Sequence, residues 1–445
     1  MSVAYFHSPR SAAATFSNRV CLRRRIFAFP LKLAVALLGW SFLFAAAPAS
    51  AQPAPVPLLS NQKSAEWIFV YKFNASSFPT TGQLQECRFG GTPDKRKSSQ
   101  AWAVASNAFP ALNPGAGLIG TSLDDPVGAT FNEIYNSTLN FITWNDQFYG
   151  DPRLKCGVNC TGRWGHSKGI LAWDGLGNGL VMQVTTPDWP GAGSSAVPRP
   201  REGNTLGCEH ATNNVLVGQH FFLLKLSPAD TGAVLDALAN ASVATDPGLP
   251  QIARLGGPRE LVVKARLLGQ KVQSVTYTDV TLSSGVRLIS KPSDLWVPPW
   301  QLISARLGSV PLRTATWRAG PPIPTTTDKT TIGCWRPSLG KARAVEVATT
   351  GRWAGKTIGM SAGSSHAKLG VSLDPAQPFT IFGDMNQQGA LSGTGKKCAS
   401  SQNGRGGLFF VLMDPTLYAS MRQLLDGGTA PTKIPRKKKK KPTHP

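Results

Sequence analysis

An α/β fold made of two similar, β-rich halves joined by long loops is what this sequence predicts, and three observations predict it. An apolar strand, a polar-Pro turn and an amphipathic helical pattern occur twice. One copy is Phe221-Phe222-Leu223-Leu224-Lys225-Leu226-Ser227-Pro228 before residues 231–239; the other is Leu408-Phe409-Phe410-Val411-Leu412-Met413-Asp414-Pro415 before residues 417–425. Upstream of each block stands a His-x-Lys triplet, His166-Ser167-Lys168 and His366-Ala367-Lys368, with a cysteine between, Cys208 and Cys398. Elsewhere, short β-rich runs bounded by turn formers outnumber helical patterns. Duplication explains the matched order economically. Two copies of one α/β unit packed about a pseudo-twofold axis bring equivalent elements together, and a composite site forms where they meet.

Residues 1–51 read as a secretory signal. Arg23, Arg24 and Arg25 lead into an apolar run over 31–47 that closes on Ala49-Ser50-Ala51, a small-residue cleavage site. The run is shorter than the roughly 20 apolar residues of a spanning helix. Export is therefore expected, to a secreted or periplasmic destination or, in a eukaryote, a lysosome-type compartment, with no stable membrane partner once the signal is removed. Strands are expected at 67–71, 139–144, 169–173 and 180–184. The first half spans 64–242, the second 257–427, and 243–256 connects them. A basic, disordered tail follows over 428–445, where Lys437, Lys438 and Lys439 belong to a run that cannot fold by itself. That tail is either a solvated end or a non-specific grip on phosphates.

Removing residues 1–51 takes away six cations and no acid, so the net charge falls from +23 to +17. A surface of that sign attracts polyanions such as nucleic acid, anionic lipid or acidic glycans without choosing among them. Cys21 leaves with the signal, and Cys87, Cys156, Cys160, Cys208, Cys334 and Cys398 remain. An even number in an exported chain suits three disulfides of undetermined pairing. A zinc site is disfavoured, because the close pair Cys156 and Cys160 has no second close pair to complete it.

Five histidines follow the signal: His166, His210, His220, His366 and His444. In an extended strand, residues two apart share a face, so each His-x-Lys projects an imidazole and an ammonium together. Two such strands supply a set suited to phosphodiester cleavage. One imidazole attacks phosphorus, the other protonates the departing oxygen, and the lysines stabilise the phosphoryl oxygens, with no cofactor or metal required. The sequence does not say which histidine attacks. The segment Gly383-Asp384-Met385-Asn386 can lie beside the second motif and orient an imidazole, although Asp and Asn in such a place commonly just form a turn.

At these residues the chain resembles the deoxyribonuclease II family. Gly165-His166-Ser167-Lys168-Gly169 is similar to the family's Gly-His-Thr-Lys-Gly, and Trp144-Asn145-Asp146-Gln147 to its Tyr-Asn-Asp-Gln. His366-Ala367-Lys368 resembles its His-Ser-Lys, Gly383-Asp384-Met385-Asn386 its Gly-Asp-x-Asn, and Arg405-Gly406-Gly407 its Arg-Gly-Gly, in the family's order. The resemblance implies a phospholipase D-like pseudodimer with the two motifs at its centre. It also implies an endonuclease that cuts DNA without divalent metal, best at acid pH, leaving 3′-phosphate and 5′-hydroxyl ends. Carried over residue by residue, it gives His166, Lys168, His366, Lys368, Asn386, Asp384 and Thr185 as catalytic. Asn145, Asp146, Gln147 and Arg405 then join the tail lysines in binding a DNA substrate through phosphates, without sequence specificity. Two departures stand out. Val184-Thr185-Thr186-Pro187 keeps a hydroxyl where the family also has a His, and Ala367 replaces a Ser.

Rival readings are a phospholipase D-like enzyme of lipid phosphodiesters and a secreted DNA-binding protein that does not cut. A metal nuclease built on His210 and His220 lacks an accompanying cluster of acids.

Overall fold

The computed structural model describes residues 54–80, 86–93, 100–149, 151–208 and 216–433. The expected signal, His210 and the lysines at 437–439 lie outside the described residues. A hairpin of β1 (Leu58–Ser60) and β2 (Lys63–Ser64) precedes an eight-stranded antiparallel sheet. Its strands are β3 (Trp67–Lys72), β4 (Trp102–Ser106), β5 (Phe109–Pro114), β6 (Asn140–Asn145), β7 (Lys168–Trp173), β8 (Gly179–Val184), β9 (Gln219–Leu226) and β10 (Ala253–Arg254). They lie in the order β10-β6-β7-β8-β9-β3-β4-β5. Helices α1 (Pro126–Tyr135), α2 (Pro228–Asn240) and α3 (Arg259–Arg266) accompany them.

A seven-stranded sheet follows from β11 (Thr278–Thr281), β12 (Arg287–Lys291), β13 (Leu312–Ala315), β14 (Val345–Val347), β17 (Leu369–Ser372), β18 (Phe379–Gly383) and β19 (Gly407–Met413). Its order is β11-β12-β19-β18-β17-β13-β14, and β15 (Thr350–Trp353) and β16 (Lys356–Gly359) form a separate hairpin. Helices α4 (Pro299–Arg306) and α5 (Pro415–Leu424) belong with it. Five consecutive strands therefore have the same arrangement in both sheets: β6-β7-β8-β9-β3 in the first and β13-β17-β18-β19-β12 in the second. α4 follows β12 and α1 follows β3 after the intervening β4 and β5, while α2 and α5 directly follow β9 and β19.

These strands are apolar on both faces because both faces are covered. In β9, Phe222 and Leu224 join a core shared by the two sheets, while Phe221 and Leu223 turn toward α1 and its Phe131 and Ile134. In β19, Leu408 and Phe410 join the shared core, while Phe409 and Val411 turn toward Trp300 and Ile303 of α4. Phe222 and Phe382 stack across the shared core with ring centroids 4.4 Å apart. The helices cross over. Ser290 of β12 donates to the Ala237 carbonyl of α2, and Ser420 of α5 accepts from the Leu112 N–H of β5, at 2.8 and 3.1 Å.

Two expectations change in detail. Residues 243–256 are pinned to the first sheet rather than merely connecting: β10 pairs with β6, and the Asn145 N–H reaches the Ala244 oxygen at 3.0 Å. Without them the edge of β6 would present unpaired backbone groups. The His-x-Lys triplets lead into their strands, with β7 beginning at Lys168 and β17 at Leu369, so the histidines sit on the approach. The six cysteines pair as Cys87–Cys208, Cys156–Cys160 and Cys334–Cys398.

Candidate active site

The approaches to β7 and β17 are fixed by bonds exchanged between the sheets. His166 N–H donates to the Gly406 oxygen at 2.8 Å, and His366 N–H donates to the Gly218 oxygen at 2.7 Å. Gly406 and Gly218 directly precede β19 and β9, so each histidine is held by the strand entry of the opposite sheet. Nearby contacts match as well. Thr185 N–H donates to the His220 oxygen and Asp384 N–H to the Leu408 oxygen, at 3.2 and 3.0 Å. In return, the Thr185 hydroxyl accepts from His220 N–H and the Asp384 carboxylate from Leu408 N–H, each at 2.9 Å.

This reciprocity brings His166, Lys168, Thr185, His366, Lys368, Asn386, Asp146, Gln147 and Arg405 onto the wall of one cavity of about 340 Å³. His166 Nδ1 lies 2.6 Å from the Asp384 carbonyl oxygen. A carbonyl only accepts, so the ring proton is on Nδ1 and the Nε2 lone pair is free. The His366 ring stands edge-on to Trp317, with centroids 4.3 Å apart. Lys168 pairs with Asp146, which also receives Arg405 at 2.7 Å, and Lys368 donates to its own motif's His366 oxygen. Asn386 donates to Gln388 Oε1 at 3.1 Å.

Electrostatics follow from burial and from these cations. His166 is held well below its ordinary pKa by burial first and then by Lys168, with Asp146 opposing. His366 is lowered in the same way, by burial, Lys368 and Lys168. Burial, with Lys168 nearby, also lowers Lys368. Burial alone would raise the Asp146 carboxyl, but Lys168, Arg405 and His166 hold it well below the usual range. Asp384 is pushed up to about 7 by burial, against bonds from Ser167 and Leu408. Lys168, Lys368 and Arg405, together with the two imidazoles, thus face one carboxylate, Asp146, an arrangement that favours an entering anion.

Two residues expected at the site stand behind it. Asn145 is buried, bonding the Thr186 and Trp189 oxygens and accepting Gln147 N–H, so it shapes the turn carrying Asp146. The Asp384 carboxylate serves Leu408 N–H and Gln183, and the residue meets His166 through its backbone oxygen. Arg405 crosses between the sheets, giving hydrogen bonds to the Trp164, Cys160 and Gly165 oxygens. Trp144 is buried and donates to Ser167, and Trp164 lies under the Lys271 ammonium.

Sequence reasoning missed Trp317, Gln388 and Gln402 on the cavity wall, and no motif announces them. It also missed Lys72 and Lys291, fully buried at the ends of β3 and β12. Lys291 donates to the Asn403 and Arg405 oxygens, both at 2.8 Å, and so braces the entry to β19 that holds His166. Burial lowers each of these lysines to about 7. His220 is buried too, its Nδ1 accepting Lys368 N–H at 3.2 Å.

Compared with known families, residues 61–427 match the one described as Deoxyribonuclease II. No curated protein matches the chain.

Proposed function

The chain belongs to the deoxyribonuclease II family, whose members hydrolyse the phosphodiester bonds of DNA, and from that membership we propose a two-histidine mechanism for this deoxyribonuclease. The observation that carries the proposal is the meeting of His166, Lys168, His366 and Lys368 on one cavity wall, delivered by two sheets of matching strand order. The fold is then a phospholipase D-like pseudodimer with halves 64–242 and 257–427.

His166 is the nucleophile, because its Nδ1 proton is committed to the Asp384 oxygen and Nε2 is left for phosphorus. As the P–N bond forms, the P–O bond to the 5′ oxygen breaks and His366 gives that oxygen a proton. Water then attacks phosphorus, His366 takes a proton from it, and the P–N bond breaks. One strand ends in a 3′-phosphate, the other in a 5′-hydroxyl. Lys168 and Lys368 hold the non-bridging oxygens, and Thr185, Asn386 and Gln147 border the reacting group. Asp146 and Arg405 act through Lys168 and the loop geometry, and Asp384 and Asn145 position their neighbours. The chemistry needs no metal. An acid optimum follows, because His366 must be protonated and its surroundings oppose that. Export of the chain and a phosphate grip by the tail complete the reading.

The test is cleavage of plasmid DNA by the purified mature protein, with excess chelator, beside His166→Ala and His366→Ala. Cutting is expected to survive chelator and to vanish in both variants; cutting that needs added metal, or that persists in either variant, overturns the mechanism. A nucleotide 3′-(nitrophenyl phosphate) assigns the roles, since nitrophenolate leaves without a proton. His366→Ala then accumulates a covalent phosphoprotein and His166→Ala does not, while the reverse pattern exchanges the two assignments.

A further inference from the structure

Beside the catalytic cavity opens a larger trough of about 840 Å³, and the two share Gln402 and Arg405 in their walls. The rest of its lining includes Arg163, Asp294, Trp296, Arg336 and Lys396. Trp296 is placed there by its backbone. It ends the 3₁₀ turn Ser293–Leu295 in the left-handed region, at φ 57° and ψ 38°, which a bulky residue rarely adopts. Its neighbours Leu295 and Val297 go into an apolar cluster with Leu302 and Leu339, while the indole between them is half-buried and borders the trough. Among the described residues, no aromatic or cationic side chain stacks on it.

The cations are also placed. Arg163 pairs with Asp294, but Arg336 and Lys396 have no acidic partner among the described residues. The Cys334–Cys398 disulfide joins the two segments that carry them, two residues from each, and so fixes one cation relative to the other. A wall with one open indole and two uncommitted cations, continuous with the proposed phosphodiester-cutting site, matches the two kinds of surface on a nucleic-acid strand. Bases stack on the aromatic ring and phosphates meet the cations. A base can lie flat on an indole only after leaving the duplex stack.

We infer that this trough binds the unpaired DNA strand leading away from the cut site, with one base against Trp296 and flanking phosphates at Arg336 and Lys396. The inference rests on the nuclease reading above.

The test compares the unaltered protein with Trp296→Ala, Trp296→Phe and the double variant Arg336→Gln/Lys396→Gln on three substrates. These are bis(4-nitrophenyl) phosphate, which is small enough for the catalytic cavity alone, a single-stranded 20-mer and its duplex. The expected result is a KM for the single strand raised roughly tenfold in Trp296→Ala and in the double variant. Trp296→Phe should restore most of the loss, the duplex should change less, and turnover of the small ester should hold, which also reports an intact fold. An unchanged KM for the single strand, or an equal rise for both DNA forms, overturns the trough while leaving the nuclease reading standing. Failure of the unaltered protein to cut any DNA overturns both.

Discussion

In the candidate active site, burial and nearby lysines work against protonation of either imidazole. Burial disfavours the charged ring at His166 and His366, and Lys168 and Lys368 add to the cost. The proposed acid must nevertheless be protonated at the moment the 5′ oxygen departs. Lowering the pH restores it, and a bound phosphodiester anion helps by offsetting the lysines. The expected pH-rate profile for single-turnover cleavage therefore falls about tenfold per unit on the alkaline side, and a rate that climbs steadily to alkaline pH rules out His366 as the proton donor. At this scale the sequence was informative where residue type and chemistry coincide. The paired His-x-Lys motifs were legible because each brings two functional groups at fixed spacing. Asp384 was misleading, since its contribution to His166 passes through the backbone oxygen that every residue owns. Lys291 had a signal that was overlooked: it closes β12 as Lys72 closes β3, and extending the repeat upstream would have matched them.

The loop before β19 shows why an Arg-Gly-Gly segment belongs there. Arg405 reaches across to the first sheet, Gly406 offers its oxygen to His166 N–H, and Gly407 begins the strand. A Cβ on Gly406 would overlap the carbonyl oxygen of Ala241. Gly406→Ala must push this entry away from α2, and His166 moves with it. The expected outcome is a loss of about a hundredfold in cleavage rate, as for a small displacement of a reacting group, with a stability cost of only about 1–3 kcal/mol. Full activity in that variant would mean that the bond from His166 to Gly406 does not set the ring's position. Apolar strands such as β9 and β19 were legible from sequence because they are continuous and end in a Pro turn, and the helices after them because a capping side chain follows, Ser227 in α2 and Asp414 in α5. The edge strand β10 was not. Its two residues carry no pattern of their own and become a strand only because β6 offers them a partner.

The two sheets share a core in which Phe382 stacks on both Phe69 and Phe222, with ring centroids 4.7 and 4.4 Å away. Such a contact ties the two sheets together. Phe382→Ala is expected to cost about 3–5 kcal/mol, read as a drop in the denaturant midpoint, and to reduce activity in the same step. Separate unfolding of two parts, with no change in the stability of the whole, would show that the shared core is not a cooperative unit. The matching order of motif, strand, turn and helix could be read from sequence, because it occurs twice along the chain, although the spacings differ. The facing of the two sheets could not, since it depends on alternate side chains of distant strands. The exchange of bonds at Gly218 and Gly406 also bears on the order in which the chain is assembled. A polypeptide is made from its amino end, and everything through β18 can emerge before the loop that seats His166 exists. Both histidines are therefore on the growing chain before Gly406 can offer its oxygen to His166 N–H, and the shared wall is complete only once β19 has docked.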